Sequence, residues 1–130
     1  MSTRRKVLIV EDSGATRELL RAAVESLNVV GSIEVEVHTA VSGFDALKVL
    51  PRHRFELIIT DINMPDINGL ELINFVKKNP HYKDTPLFVV TTEGREQDRD
   101  RGLQLGADEY VVKPFAAETL CDLVKRYLKL

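Results

Sequence analysis

Leu57-Ile58-Ile59-Thr60-Asp61-Ile62-Asn63-Met64-Pro65-Asp66-Ile67-Asn68-Gly69 holds the key to the fold. Residues 57–60 are apolar up to the closing threonine and lack the polar alternation of a half-solvated strand, so they read as a central strand covered on both faces. Residues 61–69 are rich in Pro, Asn, Asp and Gly, which end the strand in a loop. The same change of period recurs on either side. Upstream, 6–10 reads as a first strand, and Leu20, Ala23, Val24 and Leu27 then recur at the i, i+3, i+4, i+7 spacing of a helix with one buried stripe. Residues 34–39 read as a second strand, and 44–50 as a short helix ended by Pro51. Segment 28–32, between the first helix and the second strand, is generous for a compact connection.

Downstream, Leu72, Ile73 and Val76 face one side of a third helix, with Pro80 beyond its end, and 87–91 is a fourth strand. The fourth helix, 96–105, has Leu103 and Leu105 as its only large apolar residues and should be the least firmly anchored element. Gly106 supplies a helix stop. Tyr110-Val111-Val112 is the last strand, and Leu120, Leu123, Val124, Tyr127 and Leu128 form the stripe of a closing helix. Strands alternating with helices predict an α/β domain in which right-handed crossovers place helices on both faces of an open parallel sheet. Ligands of such a sheet sit beyond the carboxyl ends of its strands.

The 130 residues suit one domain spanning 1–130, and 44% hydrophobic content is enough for a packed core. With 18 Lys and Arg against 20 Asp and Glu, the net charge of −2 gives no reason to expect direct nucleic-acid contact. A lone cysteine, Cys121, excludes an internal disulfide and a cysteine-based zinc site. No apolar run is long enough for a signal peptide or a membrane span, and a cytoplasmic protein is expected. His38, His53 and His81 show no ligand spacing and read as surface or edge residues.

The strand ends select the chemistry. Glu11 and Asp12 follow the first strand, Asp61 the third, Thr91 and Thr92 the fourth, and Lys113 the fifth. Crowded carboxylates must either take up protons or be neutralised by a cation. With all-oxygen donors, a hard divalent ion such as Mg²⁺ fits better than zinc. Asn63 is placed to add its backbone carbonyl, and Asp61 remains as an oxygen nucleophile toward phosphorus. Lys113 and a threonine hydroxyl would then stabilise a phosphoryl group. Taken singly the residues are ambiguous: Glu11-Asp12 also reads as an acidic helix N-cap, Asp61 as a turn residue, and Arg95-Glu96-Gln97-Asp98-Arg99-Asp100-Arg101 as a solvated helix face as well as a docking surface.

In Val7-Leu8-Ile9-Val10-Glu11-Asp12, Asp61-Ile62-Asn63-Met64-Pro65, Gly69-Leu70-Glu71-Leu72, Val89-Val90-Thr91-Thr92-Glu93-Gly94 and the run from Gly106 through Tyr110 to Lys113-Pro114-Phe115, the chain resembles the receiver domain of two-component response regulators, above all its single-domain chemotaxis branch. The resemblance implies a flavodoxin-like, doubly wound sheet of order 2-1-3-4-5 with five helices, the order that the handed crossover fold of that branch shows. It implies Asp61 as phosphoacceptor, Glu11, Asp12, Asp61 and the Asn63 carbonyl as Mg²⁺ ligands, Thr91 as switch hydroxyl, Lys113 as phosphate-facing lysine and Tyr110 as aromatic switch residue. A cis Lys113-Pro114 bond is implied as well. The expected function is a phosphorylation-dependent signalling switch. Its phosphoryl donor would be a histidine kinase or histidine phosphotransfer domain, and its output a protein target at the fourth-helix and fifth-strand face. Such a protein catalyses only its own phosphorylation and dephosphorylation. Asn63 and Glu93 resemble positions that tune the lifetime of the phosphorylated state. Thr92 departs from the family's small residue there and should narrow access to the phosphoryl group. The rival readings on the same architecture are a flavin binder, which the acidic Glu11-Asp12 loop disfavours, a phosphate-independent adaptor, and a small-substrate phosphohydrolase.

Overall fold

The computed structural model describes residues 4–29 and 33–130. Five parallel strands, β1 (Arg4–Val10), β2 (Glu34–Ala40), β3 (Leu57–Thr60), β4 (Leu87–Thr91) and β5 (Glu109–Val112), form one sheet in the order β2-β1-β3-β4-β5. Five helices connect and follow them: α1 (Gly14–Glu25), α2 (Gly43–Val49), α3 (Gly69–Lys78), α4 (Glu96–Leu105) and α5 (Ala117–Leu128). The expected α/β architecture and strand order are both found.

Sequence patterns explain most boundaries. β3 and β4 are buried along their whole length, as continuous apolar runs require. β1 starts earlier than its apolar run because Arg4 pairs in register with Glu34 of the edge strand, with an ion pair at 3.4 Å. Ser13, Ser42 and Asn68 cap α1, α2 and α3 by accepting from Thr16, Asp45 and Glu71 N–H groups. The cap of α1 is therefore Ser13, and Glu11 and Asp12 are left for other work. Pro51 does not end α2 abruptly; it sits at the start of a short 3₁₀ turn over Leu50–Arg52, where a missing N–H costs nothing. Gly106 ends α4 in the left-handed region at φ 116°, as a C-terminal glycine should.

Each face of the sheet buries its own apolar cluster. Leu8, Val10, Ile58 and Val89 pack under α2 and α3 through Ala46, Leu72, Ile73 and Val76. Val7, Ile9, Ile59, Phe88 and Val90 pack under α1 and α5 through Leu20, Val24, Leu120, Val124 and Leu128. Within α4 only Gly102 is buried, and Leu103 is 39% exposed, so the helix with the poorest apolar stripe contributes least to the core. Of the connection at 28–32, residues 30–32 lie outside the described ones. Its start is fastened to β2, where the Asn28 amide donates to the Val35 carbonyl at 2.9 Å and accepts from the Val35 N–H at 2.5 Å.

Candidate functional site

The strand order reverses at β1, which has β2 on one side and β3 on the other, so the crevice of the sheet opens beyond the carboxyl ends of β1 and β3. Register sets what lines it. Val10 pairs with Thr60, and the ladder runs one step further: the Asp61 N–H donates to the Val10 carbonyl at 3.2 Å, and the Glu11 N–H to the Ala40 carbonyl at 3.0 Å. On the other flank, Lys113 N–H donates to the Thr91 carbonyl at 2.7 Å. Glu11, Asp61 and Lys113 thus leave the sheet at a common edge.

Their side chains meet there. Lys113 Nζ donates to Glu11 Oε1 at 2.7 Å and to Asp61 Oδ2 at 2.9 Å, although the three residues come from three different strand ends. The remaining carboxylate oxygens are held by backbone donors: Glu11 Oε2 accepts from the Ser13 N–H at 3.2 Å, and Asp61 Oδ1 from the Ile62 and Asn63 N–H groups at 2.6 and 3.2 Å. Glu11 and Asp61 are buried, with 1% and 7% of their surface exposed. Burial pushes the Asp61 carboxyl up, but hydrogen bonds from Lys113, Thr91 and Asn63, with the Lys113 charge, outweigh it and hold its pKa below the usual aspartate value. For Glu11 the balance is reversed. Burial, with the Asp61 charge, outweighs the Lys113 and Ser13 hydrogen bonds and raises its pKa. Burial disfavours the Lys113 ammonium, yet both carboxylates keep its pKa raised.

Gly69 lets α3 start close to this edge. Its N–H donates to the Ile62 carbonyl at 2.8 Å, and a Cβ there would lie 2.1 Å from the Asp61 carbonyl oxygen. Lys113-Pro114 is cis, as the resemblance implied.

The other expected residues are arranged around this core. Asp12 is exposed one step beyond Glu11 and has no hydrogen bond or ion pair among the described residues. Thr91 is fully buried, with its hydroxyl accepting from the Glu93 N–H at 3.3 Å, whereas Thr92 is exposed. Asn63 connects to the β4–α4 loop through its side-chain amide, which donates to Glu93 Oε1 at 2.8 Å. Tyr110 donates from its hydroxyl to the Glu93 carbonyl at 2.5 Å. The link through Glu93 joins two loops thirty residues apart, and nothing in the local pattern of either one announces it. The histidines hold a surprise of the same kind: His38 and His53 pack with ring centroids 4.1 Å apart and planes tilted by 39°, and His38 Nε2 lies 2.7 Å from Glu36 Oε2.

The donor set suits a hard divalent cation. Apart from Lys113, the charged side chains at the edge are carboxylates with oxygen donors: Glu11 and Asp61 share one ammonium, and Asp12 lies exposed one step beyond without an ion pair among the described residues. Among the described residues no group of three or more His, Cys, Asp or Glu side chains forms a ready-made metal cage. Mg²⁺ does not need one, since it keeps several waters and takes one or two carboxylates.

A doubly wound sheet with two buried acids and a lysine gathered at its reversal point defines a class: α/β domains that carry a charged site beyond the carboxyl ends of their strands. The chain belongs to the response regulator receiver domain family, whose model matches residues 7–125. It is 34% identical to a chemotaxis protein CheY homolog of Campylobacter jejuni over 95% of this chain and 92% of that protein. It is 36% identical to the phosphate regulon transcriptional regulatory protein PhoB of Rhizobium meliloti, over 95% of this chain but 52% of that one. The structure of the chemotaxis response regulator CheY4 of Vibrio cholerae superposes with a TM-score of 0.84 at 35% identity, covering 95% of this chain and 98% of that one. Phosphorylation-dependent switching in two-component signalling is the role of this family.

Proposed function

We propose that residues 1–130 form one receiver domain in which Asp61 takes a phosphoryl group from a histidine kinase or a histidine phosphotransfer domain. The observation that carries this reading is the Lys113 ammonium held between the Asp61 and Glu11 carboxylates, with Asp61 kept ionised in a buried place. An ionised, desolvated carboxylate is a competent nucleophile. One Asp61 oxygen forms a bond to phosphorus as the phosphorus–nitrogen bond of the phosphohistidine breaks, the electron pair leaving on the imidazole nitrogen. The Glu11, Asp12 and Asp61 carboxylates with the Asn63 carbonyl would hold Mg²⁺, which when bound offsets negative charge on Asp61 and on the incoming phosphoryl group.

Lys113 then transfers part of its hydrogen bonding from the two carboxylates to a phosphoryl oxygen. The Thr91 hydroxyl accepts from the Glu93 N–H and donates toward Asp61, so its proton can turn from the carboxylate to another phosphoryl oxygen. That rearrangement pulls on Glu93, whose carbonyl holds Tyr110, and so alters the face made by α4 and β5. Exposed Leu103 and Val112 on this face offer apolar contacts to a downstream protein. A difference of a few kcal/mol between two arrangements, of order 3–5, is enough to move most of the population. Exposed Thr92 stands at the entrance and slows phosphoryl entry and exit. The domain catalyses only its own phosphorylation and dephosphorylation, and it works in the cytoplasm. No helix is long and apolar enough to cross a membrane among the described residues.

Acetyl phosphate with Mg²⁺ is the direct test. Wild-type protein becomes labelled, and Asp61→Asn does not; an asparagine variant labelled to the wild-type extent overturns the assignment.

A further inference from the structure

Tyr110 is held inward by two contacts of different kinds. Its hydroxyl is tied to the Glu93 carbonyl, while one edge of its ring lies against α4 at Gly102, where a built Cβ would come 3.3 Å from Cδ2 and 3.4 Å from Cε2. Glycine is a poor choice for the interior of a helix, because it costs backbone entropy and buries nothing. In α4 the choice is more costly still, since the helix lacks a side-chain cap and buries no large apolar residue. What the missing methyl provides is room for the tyrosine ring. From that ring a continuous set of contacts leads back to the phosphoacceptor: the Glu93 backbone, the Glu93 carboxylate with the Asn63 amide at 2.8 Å, and the Asn63 N–H with Asp61 Oδ1 at 3.2 Å.

We propose that Gly102 is a positioning residue of the switch, whose lack of a side chain lets the Tyr110 ring occupy its inward place between α4 and the Glu93 carbonyl. The inference rests on Tyr110 as a switch residue and names what sets its balance. A methyl at 102 forces the ring to give by a few tenths of an ångström, and a valine excludes it. Because inward packing and the state of Asp61 are linked through Glu93 and Asn63, a bias at one end must appear at the other.

The test compares Gly102→Ala in the wild-type and Tyr110→Leu backgrounds. The full chain carries 3-fluorotyrosine, and the Tyr110 fluorine resonance is assigned with Tyr110→Phe. In the absence of any phosphoryl donor, Gly102→Ala is expected to move the Tyr110 resonance and leave those of Tyr82 and Tyr127 in place. Half-maximal labelling by acetyl phosphate with Mg²⁺ should shift by about five-fold or more, and by none in the Tyr110→Leu background. A purely structural role for Gly102 would not make that shift depend on Tyr110. An unmoved Tyr110 resonance, or an equal labelling shift in both backgrounds, overturns the proposal. The fluorine measurement needs no phosphorylation, so loss of labelling in wild type would sink the Asp61 assignment separately.

Discussion

Lys113 serves as counter-ion to two acids at once, and its removal exposes how much of the edge depends on it. Its side chain is 15% exposed, that of Glu11 1% and that of Asp61 9%, so little solvent is available to replace the ammonium. Taking one partner from a buried ion pair leaves a charge without compensation, a loss of about 3 kcal/mol. Lys113→Met should therefore lower the unfolding free energy by about that amount in urea titrations with EDTA present. Millimolar Mg²⁺ should recover more stability in the variant than it adds to the wild type, because the ion replaces a missing positive charge. An equal Mg²⁺ effect in both proteins would mean that the ion and the lysine do not share the same carboxylates. These residues were legible before any coordinates, since strand ends of a parallel sheet are where charged groups must leave the core. Gly102 was not, because nothing in a helix sequence tells which of its residues faces a tyrosine from the next strand.

Two elements carry groups that titrate apart from the Asp61 edge. Asp66, in the loop before α3, accepts from the Gly43 and Phe44 N–H groups at 3.1 and 2.9 Å and so caps the start of α2 from a distant segment. Desolvation opposes its charge, but the Phe44, Ile67 and Gly43 N–H groups and the Ser42 hydroxyl outweigh it and bring its pKa down to about 2. A folded pKa below the unfolded one gives stability that is full above the ordinary aspartate range and fades as pH falls toward 2. The difference in melting temperature between wild type and Asp66→Ala should accordingly narrow from pH 5 to pH 2.5, and a constant difference would show that the charge of the cap is irrelevant. At the sheet edge a pKa is lowered as well, but there the fold favours the neutral form of the group, not the charged one. His53 has its pKa lowered by burial and by the charges of His38, Lys6 and Arg52, with Glu36 opposing, and Lys6 Nζ lies 3.3 Å from its Nδ1. The fold therefore favours the neutral imidazole, so the unfolded chain takes up a proton first and stability drops as pH falls through about 6.5. Thermal melts of wild type should lose ground between pH 7 and 5.5 that His53→Gln retains. The expectation of unremarkable histidines missed this pair because β2 and the turn before β3 come together only through tertiary packing.

At the scale of the whole molecule, β1, β3 and β4 belong to both apolar clusters, whereas α4 belongs to neither in more than its margin. Opening of a segment costs the apolar surface it exposes and the hydrogen bonds it breaks. The central strands can open only when both clusters are lost, which is global unfolding, while α4 can detach with most of the core intact. Amide hydrogen exchange should follow that division. Residues 96–105 should exchange through local opening, at rates independent of global stability when measured in low urea, and amides of β1, β3 and β4 should track the global unfolding free energy. The position of α4 is also what gives the gradient a use, because Tyr110 and Glu93 connect this loosely held helix to the Asp61 edge. Labelling with acetyl phosphate and Mg²⁺ should change protection at α4 and β5 and leave unchanged the opposite end of the sheet, where Glu56 anchors the Lys6 N–H at 3.0 Å. Protection that rises uniformly over the molecule would indicate simple ligand stabilisation and would count against a switch confined to one face.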